Sequence, residues 1–113
     1  ANGYLGKIAV SIPVIYSENT TINLLEFTDT VQSSVSVYKG ITIDATNGKF
    51  GNNNGSWLQF NNGTVLKLNV AEGATVSIVT YQNAADYTIT IENGVATITA
   101  TANIYIQSIS VNY

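Results

Sequence analysis

The sequence predicts an all-β protein, an antiparallel two-sheet β-sandwich of jelly-roll-like character. Apolar and polar residues alternate with a period of two along most of the chain, and helical spacing is nowhere sustained. About ten short segments rich in Val, Ile, Thr and Tyr are separated by turns containing Gly and Asn, a pattern typical of sandwiches and barrels. The 113 residues can bury one core without disulfides, so we expect a single domain over residues 1–113.

Strands are expected wherever residues suited to a pleated, half-buried surface run without interruption. In the first half of the chain these segments are Tyr4–Val10, Ile12–Tyr16, Thr21–Phe27, Val31–Lys39, Ile41–Ala45 and Trp57–Phe60. In the second half they are Thr64–Val70, Thr75–Tyr81, Asp86–Glu92, Val95–Thr101 and Ile104–Tyr113. Pro13 has no backbone N–H to donate, so its strand is expected at a sheet edge or with a bulge.

Two turn sequences indicate hairpins, because Asn and Gly tolerate positive φ angles. They are Asn61-Asn62-Gly63 and Asn93-Gly94. The alternation also predicts which side chains face the core. Leu66, Leu68 and Val70 share one face of their strand, and Tyr87, Ile89 and Ile91 share one face of theirs.

The last predicted strand changes phase. Ile104 and Ile106 fall on one face, whereas Ile109 and Val111 fall on the other if the alternation is continued. A β-bulge adds one residue to a strand and reverses the phase beyond it. The sequence therefore predicts a bulge near Gln107-Ser108.

Composition excludes several functions. The chain has no Cys, His or Arg, so disulfides, thiol catalysis, Ser-His-Asp triads and imidazole zinc sites are ruled out. Four lysines against seven carboxylates give a net charge of −3, which disfavours nucleic acid and anionic membranes as partners.

The polar surface must be built from uncharged groups. Charged residues make up only 10% of the chain, while Asn and Thr occur fourteen times each. Such a surface suits a neutral, hydroxyl-rich ligand, and it is also common in secreted β proteins without one. We expect a secreted, extracellular or cell-surface location.

The two ends of the chain carry similar sequences. Residues 1–10 and residues 102–111 share Ala, Asn, Tyr, Ile and Val at five matching positions. One interpretation is a tandem array in which residues 1–10 are the closing strand of a preceding module. The other is that strands of similar composition match by chance.

The longest irregular segment is expected to carry the function, since loops of this length in compact domains are often binding loops. It covers residues 46–56 and ends at Trp57, the only tryptophan. Sugar binding needs a flat apolar ring for the C–H face of the sugar, beside donors and acceptors for its hydroxyls. The candidate binding residues here are Trp57, Phe50, Asn52, Asn53, Asn54 and Gln59.

Three tyrosines at strand ends are further candidates. Tyr81 lies out of phase with the apolar residues of its strand and leads into a turn, and Tyr16 and Tyr38 also lie where loops begin. The structural alternative for each is a core ring with a solvated hydroxyl.

Metal binding and catalysis have weaker support in the sequence. Asp44, Glu26 and Asp29 would form a structural calcium site only if the fold brought them together, and no other cofactor is expected. A pair of carboxylates, as in glycoside hydrolysis, is the one catalytic route left, but no acid lies in a recognisable motif. We expect no enzymatic activity.

Three runs resemble a known family. They are Ile43–Phe50, Trp57–Val70 and Thr75–Tyr81, and the closing run Tyr105–Val111 is similar as well. Together they resemble the β-sandwich carbohydrate-binding modules appended to secreted bacterial pectin- and xylan-degrading enzymes. The likeness covers residues 41–113.

The resemblance implies a non-catalytic module that targets a covalently linked enzyme to a plant polysaccharide. The scarcity of lysine favours a neutral glycan such as xylan, β-glucan or starch over pectin, whose uronates need cations. The alternative is a structural surface or adhesin-type repeat that binds no ligand.

Overall fold

The protein is a β-sandwich of two sheets, described by a computed structural model over residues 14–53 and 55–113. The predicted all-β class is confirmed. The predicted strand Tyr4–Val10, the repeat in residues 1–10 and Pro13 lie outside the described residues. Within the described part of the chain, no helix has the length and apolar character of a membrane span.

Twelve strands and two short 3-10 turns make up the described chain. The first six strands are β1 (Ile15–Tyr16), β2 (Thr20–Asn23), β3 (Thr30–Gln32), β4 (Val35–Tyr38), β5 (Ile41–Asp44) and β6 (Lys49–Asn52). The last six are β7 (Leu58–Phe60), β8 (Val65–Val70), β9 (Thr75–Thr80), β10 (Tyr87–Glu92), β11 (Val95–Ala100) and β12 (Ile104–Asn112). The 3-10 turns are Leu24–Glu26 and Tyr81–Asn83.

Sheet I has the strand order β10-β11-β8-β5-β4, and β1 pairs with β8 in parallel. Sheet II has the order β2-β12-β7-β6-β3, and β9 pairs with β12. Apart from β1 with β8, the described pairs are antiparallel. Strand β12 is the longest strand and pairs with β2, β7 and β9. Side chains on its outward face therefore lie beside side chains of β7 and β9.

The core lies between the sheets, and its described buried residues are apolar except for Thr64, whose hydroxyl hydrogen-bonds to the backbone of Lys49. Three phenylalanines form its aromatic part, with ring centroids 5.7 Å apart for Phe27 and Phe50 and 6.1 Å apart for Phe50 and Phe60. The predicted inward face of β8 is confirmed by the burial of Leu66, Leu68 and Val70. On the edge strand β10, Tyr87 and Ile89 pack against the core as predicted, whereas Ile91, near the end of the strand, is exposed.

Two predictions from local sequence are confirmed. The pairing of β12 with β9 shifts register between Ile106 and Ser108, which is the bulge predicted from the phase change. Asn93 and Gly94 have φ angles of 51° and 77° and join β10 to β11 as a two-residue hairpin loop. Positive φ at both central positions is the geometry that matches the twist of the strands.

Two other predictions are wrong because the chain changes sheets. Val31–Lys39 is broken at Ser33, which has a φ of 54°, so that β3 joins sheet II and β4 joins sheet I. The turn Asn61-Asn62-Gly63 connects β7 of sheet II to β8 of sheet I and does not form a hairpin. Local alternation carries no information about which sheet a strand joins.

The segment 46–56, predicted to be irregular, contains β6. Its sequence is rich in Gly and Asn, which are rare in strands. Pairing with β3 on one side and β7 on the other imposes the extended conformation. The Phe50 side chain also anchors the strand, since it is fully buried in the core.

Gly51 permits the close approach of β3 to β6. A Cβ atom at this position would lie 2.7 Å from Thr30 Cα and 2.8 Å from the Asp29 carbonyl oxygen. We expect Gly51→Ala to lower the free energy of unfolding by about 1–3 kcal/mol, because both contacts are with backbone and the strands must move apart. Urea denaturation measures this loss.

Gly73→Ala is the control for that measurement. A Cβ at Gly73 would meet no atom within 4 Å, and only its φ of +90° is unfavourable for alanine, at a cost of about 1 kcal/mol. An unchanged stability for Gly51→Ala would show that β3 and β6 are not held at this separation.

Candidate functional site

An open cleft of about 390 Å³ lies beside sheet II and is lined by Asn53, Ser56, Trp57, Tyr81 and Tyr105. We call it the aromatic cleft. Its volume falls in the range of about 300–1,000 Å³ that is usual for small-ligand sites. Three segments far apart in the sequence form it: the loop between β6 and β7, the end of β9 and the start of β12.

The loop between β6 and β7 supplies the indole. The Asn53 backbone N–H donates to the Trp57 carbonyl at 3.2 Å and closes the loop where the strands diverge. At its tip, the Gly55 backbone N–H donates to the Asn52 side chain at 3.0 Å. Trp57 is half-buried directly before β7, so its ring is held by the strand but remains accessible from the cleft.

The 3-10 turn after β9 supplies Tyr81. Gln82 and Asn83 both have φ angles of 56°, which bends the chain sharply away from the strand direction. The Thr80 hydroxyl donates to the Ala84 carbonyl at 2.7 Å and closes this turn. The turn leaves Tyr81 43% exposed, as the sequence predicts.

Strand β12 supplies Tyr105 from its outward face. Ile104 and Ile106 on either side point into the core, so the alternation directs Tyr105 to solvent. Tyr105 pairs with Gln59 of β7, and the next inward residue, Ile106, pairs with Thr80 at the end of β9. These two pairings bring the Trp57 loop and the Tyr81 turn to the same tyrosine.

The three rings meet edge to face. The centroids of Trp57 and Tyr81 are 5.1 Å apart at an interplanar angle of 74°, and those of Tyr81 and Tyr105 are 6.3 Å apart at 90°. These are favourable arrangements for aromatic pairs, so the rings support one another in the absence of a ligand. Because the planes are steeply inclined, the cleft has walls and is not a flat platform.

Uncharged amides frame the rings. Gln59 Nε2 donates to Asn53 Oδ1 at 3.3 Å, and Gln107 Nε2 donates to the Ser56 carbonyl at 3.1 Å. Gln107 occupies the bulge of β12, which turns its side chain toward the loop. The lining residues contain no carboxylate and no lysine, so the cleft is polar but electrically neutral.

The structure brings together part of the predicted binding set. Trp57, Tyr81 and Asn53 line the cleft, and Gln59 hydrogen-bonds to Asn53 behind it. Asn52 stabilises the loop through its bond to Gly55. Asn54 lies outside the described residues.

Sequence reasoning missed Tyr105, Ser56 and Gln107. A signal for Tyr105 was present, since it alternates with two isoleucines and must therefore face outward if they face the core. Gln107 carried a similar signal through the predicted bulge. What the sequence lacked was the pairing of β12 with both β7 and β9, which places these side chains beside Trp57.

Phe50 is a correction to the predicted site. Its side chain has 0% exposure and packs between Phe27 and Phe60 in the core. In the extended conformation of β6, the side chain of Phe50 points to the core whereas Lys49 does not. The ring therefore offers no surface to a ligand.

Tyr16 and Tyr38 are also absent from the cleft. The Tyr38 hydroxyl donates to Glu26 at 3.2 Å and its ring packs against Phe27, while the Tyr16 hydroxyl donates to the Lys39 carbonyl. Glu26 in turn forms an ion pair with Lys39. The prediction that Tyr16 and Tyr38 lie in one site with Trp57 is therefore wrong, because both tyrosines belong to a separate cluster around Glu26 and Lys39.

The ion pair affects the acidity of Glu26. The hydrogen bond from Lys39 is the main reason why the pKa of the Glu26 carboxyl is lowered, and the hydrogen bond from Tyr38 lowers it further. The interaction is present while the carboxylate is ionised and is lost as the pH falls through this lowered pKa. Both side chains are exposed, so the pair contributes little to stability.

The three acids considered for calcium do not form a site. Glu26 is engaged by Lys39. Hydrogen bonds from the Thr46 side chain and then from the Thr46 backbone N–H, the latter at 3.0 Å, lower the pKa of the Asp44 carboxyl. Asp29 precedes β3, and its carbonyl faces Gly51. Among residues 14–53 and 55–113, no three side chains of Asp, Glu, His or Cys are grouped to hold a metal ion.

Comparison of the chain with family models, with curated proteins and with solved structures found no match. The side chains of the aromatic cleft and their chemistry are therefore the basis for a proposed function.

Proposed function

We propose that the protein is a non-catalytic carbohydrate-binding module that holds a short segment of a neutral glycan in the aromatic cleft. The observation that carries the proposal is the convergence of Trp57, Tyr81 and Tyr105 beside uncharged amides. Pyranose rings have an apolar C–H face and a rim of hydroxyls. The cleft supplies aromatic faces for the first and amide or hydroxyl groups for the second.

The inclination of the rings bears on the shape of the ligand. A flat ribbon, such as the surface of a crystalline polysaccharide, requires aromatic rings in one plane. Here the ring of Tyr81 stands at 74° to Trp57 and at 90° to Tyr105. This geometry favours a single soluble chain, twisted or ending in the cleft, over a crystalline surface.

The absence of charge in the lining bears on the class of sugar. Polyuronates such as pectin require cations, and the five residues that line the cleft carry none. Of the lysines in the described residues, Lys39 is paired with Glu26 in the other cluster. These facts favour xylan or β-glucan, with starch as a further neutral candidate.

The expected affinity is modest. Covering ~80 Å² of apolar surface on one ring contributes about 2 kcal/mol. Two or three rings with a few hydrogen bonds leave a dissociation constant in the micromolar to millimolar range after the cost of association. Such affinity suits a module that holds a covalently linked enzyme close to a polymer outside the cell.

Affinity electrophoresis tests the proposal. We expect the wild-type protein to be retarded in gels containing xylan or β-glucan, and Trp57→Ala to weaken binding by about 10- to 30-fold, since the loss of one stacking surface costs about 1.4–2 kcal/mol. Starch and pectin gels complete the panel. Thermal denaturation checks that the variant is folded.

Val37→Ala is the matched control, because Val37 is an exposed apolar residue on sheet I and 65% accessible. It should bind as the wild type does. Absence of retardation on every gel would contradict the proposal and favour a structural repeat without a ligand. Release of reducing sugar from any of the polymers would contradict the non-catalytic assignment.

A further inference from the structure

The aromatic cleft occupies only part of the outward face of sheet II, and strand pairing decides which side chains lie next to it. Tyr105 of β12 pairs with Gln59 of β7, and Gln59 pairs on its other side with Gly51 of β6. These three residues form one row across the sheet. In the next row along β6, two residues from Gly51, lies Lys49.

The side chain of Lys49 projects from the same face of the sheet as the cleft. Phe50 is fully buried, so the alternation along β6 directs Lys49 outward. Lys49 is the diagonal neighbour of Gln59, at a separation of about 7–8 Å, and Tyr105 lies one strand further. The flexible four-carbon stem of lysine lets its ammonium group reach a sugar that extends beyond the cleft.

Neutral amides flank Lys49 on both sides. Gln32 of β3 is its pairing partner, and Asn61 follows β7 on the other side, where its backbone N–H donates to the Lys49 carbonyl at 3.0 Å. The one ion pair within the described part of the chain joins Lys39 to Glu26. Lys49 therefore has no carboxylate partner among those residues, and its charge is free to attract an anionic group of a ligand.

The backbone of Lys49 is held by Thr64, a buried polar residue. The Thr64 hydroxyl has no exposure to solvent, accepts the Lys49 N–H at 2.9 Å and donates to the Lys49 carbonyl at 3.2 Å. Gly48 leaves room for this hydroxyl, since a Cβ atom at that position would overlap with Thr64 Oγ1. Position 49 is therefore fixed relative to the cleft, and only the side chain has to be ordered when a ligand binds.

The other lysines in the described part of the chain do not border the cleft. Lys39 belongs to the cluster with Glu26. Lys67 is exposed on β8, and the residues on either side of it in that strand are buried, so it projects from the outward face of sheet I. Among the described residues, Lys49 is thus the one cation on the face that carries the cleft.

From these observations we infer that Lys49 forms a cationic subsite beside the aromatic cleft and binds the carboxylate of a uronic acid side group on a neutral main chain. The inference rests on the proposed function, because the main chain must occupy the cleft. One lysine accommodates one carboxylate, and the net charge of −3 disfavours a polymer with a carboxylate on every sugar. The substrate class is therefore a xylan with sparse acidic side groups.

Isothermal titration with one polymer in two chemical forms tests the inference. The first form is xylan that carries glucuronic acid side groups, and the second is the same xylan after its carboxyl groups have been reduced to alcohols. We expect the wild-type protein to bind the acidic form about 2- to 5-fold more tightly, which is the gain typical of one exposed ion pair. The preference should disappear in about 1 M salt, where the Debye length is about 3 Å.

Lys49→Gln removes the charge and keeps a polar side chain at the same position. This variant should bind both forms with the affinity that the wild type has for the reduced form. Lys67→Gln is the matched control, because it makes the same change of charge on the outward face of sheet I. It should keep the preference of the wild type, and thermal denaturation checks that both variants are folded.

Equal affinity of the wild type for the two forms overturns the subsite, although binding itself still supports the proposed function. The subsite is also overturned if Lys49→Gln keeps the preference, or if both lysine variants lose it, since the attraction would then come from the net charge of the chain. Tighter binding of polygalacturonate than of acidic xylan would contradict the neutral main chain. If the wild type binds β-glucan but neither form of xylan, the subsite fails alone; if it binds none of these polymers, the proposed function fails as well.

Discussion

Phe50→Ala is expected to lower the free energy of unfolding by about 3–5 kcal/mol. The side chain is fully buried and contacts the rings of Phe27 and Phe60, so its removal leaves a cavity at the centre of the core. A domain of this size has a total stability of about 5–15 kcal/mol, so the variant will be close to unfolding. Urea denaturation followed by circular dichroism measures the change.

Phe50→Leu is the companion variant, and it should lose only about 1–2 kcal/mol because most of the volume is kept. It should also bind polysaccharide as well as the wild type, since Phe50 does not reach the cleft. A folded Phe50→Leu protein with normal stability and no binding would restore Phe50 to the site and contradict its placement in the core.

The double variant Trp57→Ala/Tyr81→Ala is expected to reduce glycan affinity by at least about 100-fold, which abolishes visible retardation on gels. The two rings form adjoining walls of the cleft, 5.1 Å apart, and both contribute stacking surface. Because they touch, their individual losses should not add. Isothermal titration with a soluble oligosaccharide, applied to both single variants and the double variant, measures this coupling.

Val35→Ala/Val37→Ala provides the control for the double variant. It truncates two exposed apolar residues, 56% and 65% accessible, on sheet I away from the cleft. Unchanged binding is expected here, with unfolding midpoints similar to those of the cleft variant. Equal loss of binding in both double variants would point to a general effect on the surface and would remove the support for the cleft.

The features predicted correctly from the sequence depend on near neighbours in the chain. The buried face of β8, the hairpin at Asn93-Gly94 and the bulge of β12 each follow from the residues of one short segment. The predicted strand through Ser33 and the predicted irregular segment around β6 were wrong. Both errors occur where pairing with distant strands decides the conformation.

The candidate site likewise contains residues that the sequence predicts correctly, and one predicted residue was wrong because distant strands decide its position. Trp57 could be selected because it is the only tryptophan and follows the predicted irregular segment, and Tyr81 because it leaves the apolar phase of its strand. Both line the cleft. Phe50 could not be distinguished from them, since its neighbours are Gly, Asn and Lys on a segment with no clear alternation. Only its position between β3 and β7 directs the ring inward.

Composition and two-residue alternation are enough to predict the all-β class, the inward face of β8 and the outward direction of Tyr105, and composition shows that Cys, His and Arg are absent from the chain. These properties depend on composition and on two-residue periodicity, which are local. The tertiary structure alone decided that Trp57, Tyr81 and Tyr105 share one cleft and that Phe50 does not. The reason is that β12 pairs with both β7 and β9, and strand pairing over such long separations is specified by the packing of the whole core.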